Sequence, residues 1–152
     1  MPDASPQVGV RPAEPGDFEA VARLLAELGR PEVRLATHAA TQAVYQRHIA
    51  RDGTASLVAV LDGSVIGFLS LEFRERLNRT RPQAWIPDII VMEAQRGRGV
   101  GKALLRRAID LARERNCWSV VLESGRGRLV AHQLYRAMEL SDEGNYFIRY
   151  FD

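Results

Sequence analysis

Three glycines at alternate positions lie between an apolar run and an amphipathic one; they are Gly97, Gly99 and Gly101. Glycine tolerates the positive φ angles of tight turns and leaves no Cβ between the backbone and a ligand. The apolar residues 89–91 before the turn predict a strand, and the leucine spacing after it predicts a helix. Successive backbone N–H groups at the start of such a helix form an anion site. The segment therefore predicts a strand–turn–helix unit that can hold a pyrophosphate.

The side chains of this turn favour the same ligand and exclude two common nucleotide motifs. Arg96, Arg98 and Lys102 place three cations around the glycines. A P-loop would require glycine where Arg96 stands and a hydroxyl side chain where Ala103 stands. A dinucleotide fingerprint would require glycine where Lys102 stands. A plain glycine-rich helix entry with solvated arginines remains the alternative.

The rest of the chain predicts an α/β fold around this unit. Its 152 residues correspond to a single domain over residues 1–152. Apolar periodicity and turn signals give the order β-α-α-β-β-β-α-β-α-β, a mixed β-sheet flanked by helices, with an Asp62-Gly63 hairpin among its strands. Long strands are predicted over residues 65–73 and 85–91, and a closing strand over residues 146–150. Because proline cannot donate to a sheet ladder, Pro87 implies a bulge or an edge.

Composition excludes several classes of protein. Apolar residues make up 46% of the chain and charged residues 26%, which is ordinary for a globular protein. A net charge of +2 does not indicate a broad nucleic-acid-binding surface, and no apolar stretch approaches the roughly 20 residues of a membrane span. The single cysteine, Cys117, excludes an intramolecular disulfide, and residues 1–6 do not resemble a signal peptide. We expect a cytoplasmic protein with no metal, nucleic-acid or membrane partner.

The turn and its surroundings resemble the GCN5-related N-acetyltransferase (GNAT) superfamily. The family's pattern Gln/Arg-x-x-Gly-x-Gly/Ala is matched by Arg96-Gly97-Arg98-Gly99-Val100-Gly101. The order of elements and a helix-borne tyrosine near the end of the chain also correspond. The resemblance implies an N-acetyltransferase that uses acetyl-CoA as cosubstrate and binds its pyrophosphate at these six residues and Lys102.

The same resemblance implies where the rest of acetyl-CoA binds. The backbone of Ile90, Val91 and Met92 is expected to bind pantetheine, with the N–H of Val91 polarising the thioester carbonyl. In the family this strand separates from the next one around a bulge and opens a slot for the thioester; Pro87 supplies a physical reason for such a bulge here. Family members are often homodimers, and the aromatic tail of this chain is expected to serve such an interface or to form a core strand.

Direct attack of an amine on a thioester in a ternary complex needs a base and an acid. An alkylamine, with a pKa of about 10.4, must lose a proton before attack, and the leaving thiolate benefits from a donor. Tyr135 corresponds to the family's acid. Asp88 and Glu72 are candidates for the base or for binding a cationic acceptor. We assign Asp88, or a water that it binds, to catalysis and Glu72 with Trp85 to substrate binding; exposed carboxylates and a packed tryptophan are the alternatives.

Two positions depart from the family's pattern. Arg128 stands where many members carry an asparagine that contacts pantetheine, and Glu139-Leu140 replaces Gly-Phe after the tyrosine helix. The first departure predicts that Arg128 contacts the phosphates of CoA, with a solvated loop as the alternative. The second leaves the local turn geometry open.

The acceptor cannot be derived from these residues. A small-molecule primary amine is our prediction, and a protein or peptide amine is an alternative within the same class. A non-catalytic CoA-binding regulatory module is the rival from another class. A third hypothesis is an arginine-rich nucleic-acid binder, although the cations cluster at one turn. The histidines His38, His48 and His132 lack metal-ligand spacing and are expected to be solvated or structural.

Overall fold

The computed structural model describes residues 7–29 and 35–151, so the residues 1–6 considered for a signal peptide lie outside the described part. The described elements are β1 (Gly9–Pro12), α1 (Phe18–Glu27), α2 (His38–Ala50), β2 (Leu57–Leu61), β3 (Ser64–Leu69), β4 (Glu72–Arg74), β5 (Gln83–Ile86), β6 (Ile89–Val91), α3 (Val100–Glu114), β7 (Ser119–Leu122) and α4 (Leu129–Ala137). Short 3-10 turns cover Pro15–Asp17, Leu35–Thr37 and Glu93–Gln95. The predicted mixed α/β class is confirmed. No helix in the described ranges is long and apolar enough to cross a membrane.

Two of the predicted long strands each pass from one sheet to another. Residues 65–73 form β3 and β4, and residues 85–91 form β5 and β6. Sheet A has the order β1-β2-β3-β6, and sheet B has the order β4-β5-β7. The disruption predicted at Pro87 is confirmed, because Pro87 and Asp88 separate β5 in sheet B from β6 in sheet A. The chain thus changes sheets twice, at residues 70–71 and again at residues 87–88.

The predicted hairpin joins β2 to β3 in an antiparallel pair. Both residues of its two-residue loop have positive φ, 49° at Asp62 and 78° at Gly63. Such loops match the right-handed twist of the flanking strands, which explains why Asp-Gly is a strong hairpin signal.

Helices cover both faces of sheet A because its strands alternate. In β2, Leu57 and Ala59 join the core cluster that contains α3, whereas Val58 joins the cluster that contains α1 and Tyr45 of α2. Helix α3 lies very close to the sheet: a Cβ at Gly67 would lie 3.0 Å from Cδ1 of Leu104. A side chain at that position would have to displace Leu104, Val100 or Ala59, so packing favours glycine there.

The predicted closing strand over residues 146–150 is wrong in this structure. No helix or strand is assigned from Leu140 to Phe151, and the aromatic side chains Tyr146 and Phe147 are exposed. Aromatic and β-branched residues favour strands only where a neighbouring strand accepts them. Residues 146–150 have the composition of a strand, but they pair with none of the described strands.

Candidate active site

Strands β6 and β7 diverge and leave a slot between them. Strand β7 pairs in parallel with β5, in the register from Gln83 opposite Ser119 to Ile86 opposite Leu122. After Pro87 the chain moves into sheet A, where β3 is the one described strand that pairs with β6. The separation of the two strands that the sequence predicted is therefore confirmed. We call the opening between β6 and the end of β7 the slot.

One edge of β6 faces this slot with backbone groups that no strand uses in the described part of the chain. On the other edge, the N–H of Met92 donates to Ile66 at 2.8 Å and the N–H of Ser70 donates to Asp88 at 2.9 Å. Such bonds alternate along an antiparallel ladder, so the N–H of Val91 points away from β3. Of the residues predicted to bind pantetheine, Val91 has its backbone on the open edge.

The other two predicted pantetheine residues are less available, and a side chain competes at the edge. The backbone of Ile90 faces β3 in the same alternation, and the N–H of Met92 is already bonded. Arg96 turns back and donates from Nε to the carbonyl oxygen of Val91 at 3.1 Å. A ligand that binds this carbonyl would have to displace the arginine.

The glycine turn has the backbone conformation of an anion site. Gly97 and Gly99 have φ angles of 76° and 82°, in the left-handed region that favours glycine. Gly99 is also the N-cap of α3, and no side chain caps the helix there. The N–H groups of the first helical turn, from Val100 to Lys102, therefore have no intrahelical partner. A Cβ at either positive-φ glycine would meet nothing within 4 Å, so the space in front of them is open.

The remaining residues of the turn anchor it or add charge. The side chain of Val100 is buried, and a Cβ at Gly101 would lie 3.1 Å from Cδ2 of Leu134. Glycine at 101 thus allows the start of α3 to approach α4. The three predicted cations, Arg96, Arg98 and Lys102, have exposed side chains. Backbone donors, cations and open space together fit a pyrophosphate.

Tyr135 reaches the core from α4 and is 7% exposed. Burial raises the pKa of its hydroxyl, while the charge of Arg128 acts in the opposite direction. The phenol is therefore neutral near pH 7 and able to donate. Arg128 itself is exposed at the N-cap of α4, and no capping hydrogen bond from its side chain is formed. Its predicted contact with the phosphates of CoA stays a prediction.

Asp88 is held at the point where the chain changes sheets. Its Oδ2 accepts a hydrogen bond from Oγ of Ser70 at 3.1 Å, and its N–H donates to the same Oγ at 2.9 Å. Ser70 is 4% exposed, so this contact is shielded from water. The position of the carboxylate is fixed by β3 and β6 rather than by a flexible loop.

His48 of α2 lies within electrostatic range of Asp88, which the sequence did not indicate. Nε2 of His48 lies 2.6 Å from Oγ of the buried Ser56. Burial lowers the pKa of His48; Glu72 opposes this shift, Arg51 adds to it and Asp88 opposes it. His48 was expected to be solvated or structural because the histidines lack metal-ligand spacing, and its hydrogen bond with Ser56 is consistent with a structural residue. Only the fold brings it near the carboxylates.

Glu72 and Trp85 share one face of sheet B. They are register partners across β4 and β5. Glu72 forms an ion pair with Arg51, so a cationic acceptor would compete with that arginine. Nε1 of Trp85 donates to Oε2 of Glu123 at 2.8 Å, and the guanidinium of Arg74 lies 4.6 Å from its ring centroid. Glu72 thus interacts electrostatically with His48, and Trp85 is the register partner of Glu72. Tyr135 lies on a different element, helix α4.

The comparisons with known proteins define the class. A model of the acetyltransferase (GNAT) family matches residues 20–139, and the chain belongs to this family. It is 31% identical over 109 residues to the L-amino acid N-acetyltransferase AaaT of Escherichia coli, covering 69% of this chain and 64% of that protein. It is 31% identical over 103 residues to the N-acetylaspartate synthetase of Rattus norvegicus, covering 68% of this chain.

The solved structures show the same fold at full length. A putative acetyltransferase from Agrobacterium tumefaciens has a TM-score of 0.85 and 31% sequence identity, covering 93% of this chain and 99% of that one. The curated relatives are longer: the match spans only 33% of the rat synthetase. The family model and these relatives together show that the chain belongs to the acetyltransferase (GNAT) family.

Proposed function

We propose that the protein transfers the acetyl group of acetyl-CoA to the primary amine of a small molecule. The observation that carries the proposal is the open edge of β6, which leads directly into an uncapped, positively charged glycine turn. Acetyl-CoA would supply the activated thioester. Its extended pantetheine suits a strand edge, and its pyrophosphate suits the N–H groups at the start of α3.

The chain's own residues would perform four tasks. The turn from Arg96 to Lys102 holds the pyrophosphate, and the N–H of Val91 donates to the thioester carbonyl oxygen, where negative charge develops during attack. Tyr135, neutral because burial raises its pKa, donates its proton to the leaving thiolate. Asp88, or a water bound to it, accepts the proton of the amine.

We propose an α-amino acid as the class of acceptor. The two curated relatives named above are an L-amino acid N-acetyltransferase and an N-acetylaspartate synthetase. The face of sheet B that adjoins Asp88 carries both signs of charge: Glu72 can attract an ammonium group, and Arg51 and Arg74 can attract a carboxylate. A protein or peptide amine is the second candidate. We further propose a single domain that acts in the cytoplasm, which suits a chain with one cysteine.

A thermal-shift titration with acetyl-CoA, CoA, ATP and NAD tests the donor. A ligand at 100 times its Kd stabilises a protein by about 2.7 kcal/mol, which corresponds to a rise in Tm of roughly 5–10 °C at this size. We expect a rise with acetyl-CoA and CoA alone. No rise with either would overturn the proposal.

Release of free CoA thiol in the presence of amine panels tests the reaction. Amino acids, polyamines, an aminoglycoside and peptides are compared at equal concentration, and we expect turnover to be highest with amino acids. Highest turnover with peptides would favour the second candidate. Binding of acetyl-CoA without turnover on any panel would favour a non-catalytic CoA-binding module.

A further inference from the structure

The two faces of sheet B carry different kinds of side chain. Phe73 and Ala84 point to one face, where they join or pack against the core cluster that contains α3. Side chains alternate along a strand, so their neighbours Arg74, Gln83 and Trp85 share the opposite face. Arg74 and Gln83 are register partners across β4 and β5, and both are at least partly buried. This second face therefore carries an arginine that is not simply a solvated surface charge.

Neutral groups hold the guanidinium of Arg74 in one orientation. Its Nη2 donates to Oε1 of Gln83 at 3.0 Å. Gln83 is 3% exposed, and its Nε2 donates to Oγ of Ser119 at 3.2 Å, which keeps the amide oxygen turned toward the arginine. The guanidinium carbon lies 4.6 Å from the ring centroid of Trp85, whose Nε1 is bonded to Glu123. These contacts fix the position of the charge without neutralising it.

The charge of Arg74 has no counter-ion among the described residues. Its Nε is buried and lacks a hydrogen-bond partner there. A guanidinium carries several N–H donors, and the contact with Gln83 uses one of them. Arg51, the other arginine beside this face, differs because it forms an ion pair with Glu72. Burying charge and donors is costly unless an anion pairs with them, so Arg74 is the arginine that a ligand carboxylate would satisfy.

The guanidinium of Arg74 extends toward the end of β5 that leads to the slot. The backbone of Arg74 lies opposite Gln83, but its guanidinium lies over Trp85, which is nearer to Asp88 along the chain. At that end Asp88 and Glu72 are close enough to act electrostatically on the same histidine of α2. Carboxylates near the slot and an unneutralised guanidinium along the sheet match the two charges of an amino acid.

We propose that Arg74 selects the acceptor, because its guanidinium binds the carboxylate of an amino acid while the amine faces Asp88. This assignment rests on the proposed acetyl transfer to an amino acid and adds the residue that recognises it. The planar fork of a guanidinium matches a carboxylate through two parallel hydrogen bonds. An amine without a carboxylate would leave the charge of Arg74 unpaired. Arg74 thus determines specificity and takes no part in the proton transfers.

Pairs of amino acids and their amides test the assignment, because the amide keeps the amine and the side chain and loses only the carboxylate charge. Release of CoA thiol gives kcat/KM for both members of a pair, and we expect the wild type to prefer the amino acid. Arg74→Gln should lower kcat/KM for amino acids by about 30-fold or more and leave that for amides little changed. Arg74→Lys keeps the charge without the fork and should recover only part of the preference.

Gln83→Glu tests the same point with Arg74 in place. A carboxylate at position 83 would pair with the guanidinium, so the preference for amino acids over amides should fall as it does in Arg74→Gln. The matched control is Arg79→Gln, which removes an arginine stacked on a different tryptophan, 4.3 Å from the ring centroid of Trp118, and should keep the wild-type preference. The ratio of two kcat/KM values within one variant does not change when part of the protein is unfolded.

The outcomes separate this assignment from the proposed function. Equal kcat/KM for amino acids and amides in the wild type, a preference that survives Arg74→Gln, or an equal loss in Arg79→Gln would overturn the role of Arg74 and leave acetyl transfer intact. Absence of turnover on every amine would overturn the proposed function and the role of Arg74 with it.

Discussion

Two of the open strand edges in the described part of the chain, those of β6 and β7, differ in their surroundings. The edge of β6 runs into a turn with two positive-φ glycines, three cations and uncapped helical N–H groups. The edge of β7 lies beside a cavity with a mixed lining that includes Ile109, Arg113 and Ser119, and beside the buried indole N–H of Trp118, which has no hydrogen-bond partner among the described residues. The edge of β6 suits a ligand that combines an extended chain with phosphate. What lies at the end of an open edge therefore indicates what will pair with it.

The largest expected effect tests the ligand edge. Gly99→Glu should abolish measurable acetyl-CoA binding, because Gly99 has a φ of 82° and a carboxylate there would repel the pyrophosphate. Isothermal titration calorimetry measures the affinity. Gly99→Asn is the matched control, since asparagine tolerates this conformation without adding charge, and it should retain binding.

The second prediction concerns the acid. Tyr135→Phe should lower kcat by about 100-fold or more, with little change in KM for acetyl-CoA, because general acid catalysis contributes roughly 10²–10⁴-fold. Steady-state release of CoA thiol measures both constants. The control is Tyr45→Phe. Tyr45 is equally buried but belongs to the other core cluster, and its hydroxyl donates to the carbonyl of Glu14. Tyr45→Phe should reduce stability and leave kcat unchanged, whereas full turnover in Tyr135→Phe would refute the assignment of Tyr135 as the acid.

The sequence predicted most of what depends on local pattern. The Asp62-Gly63 hairpin, the glycine turn and the disruption at Pro87 each follow from φ preferences or from a missing donor, and each forms as expected. The division into two sheets was not predicted, because residues 65–73 form one continuous strand pattern. What divides them is pairing with distant strands, which periodicity does not encode.

The site was predictable only in part, for the same reason. Positions on the turn follow from the motif, but the backbone availability of Val91 and Met92 depends on register with β3. The hydrogen bond of His48 with Ser56 and its electrostatic interactions with Glu72 and Asp88 join four separate segments of the chain. The closing strand failed because residues 146–150 pair with none of the described strands, and a strand pattern does not encode whether a partner edge is present.

A third prediction concerns the junction where the chain changes sheets. Burial lowers the pKa of His48, so folding favours its neutral form. Its contribution to stability is complete above about pH 6.5, the ordinary histidine pKa, and is lost as the pH falls through the lowered folded value. His48→Gln, which keeps a donor for Ser56, should therefore lose less Tm than the wild type between pH 7.5 and pH 5. His38→Gln is the control at a partly exposed histidine of the same helix, which pairs with Glu19 instead of Ser56. An identical pH dependence for His48→Gln and the wild type would contradict the prediction.

The smallest expected effect concerns the turn that follows α4, at Glu139. Glu139 has a φ of 66°, where a residue with a Cβ is strained by about 1 kcal/mol, and glycine is what this kind of helix end normally uses. Glu139→Gly should raise Tm by roughly 2 °C, whereas Glu139→Ala, which keeps the Cβ, should not. An unchanged Tm in Glu139→Gly would contradict the assignment of strain to this turn.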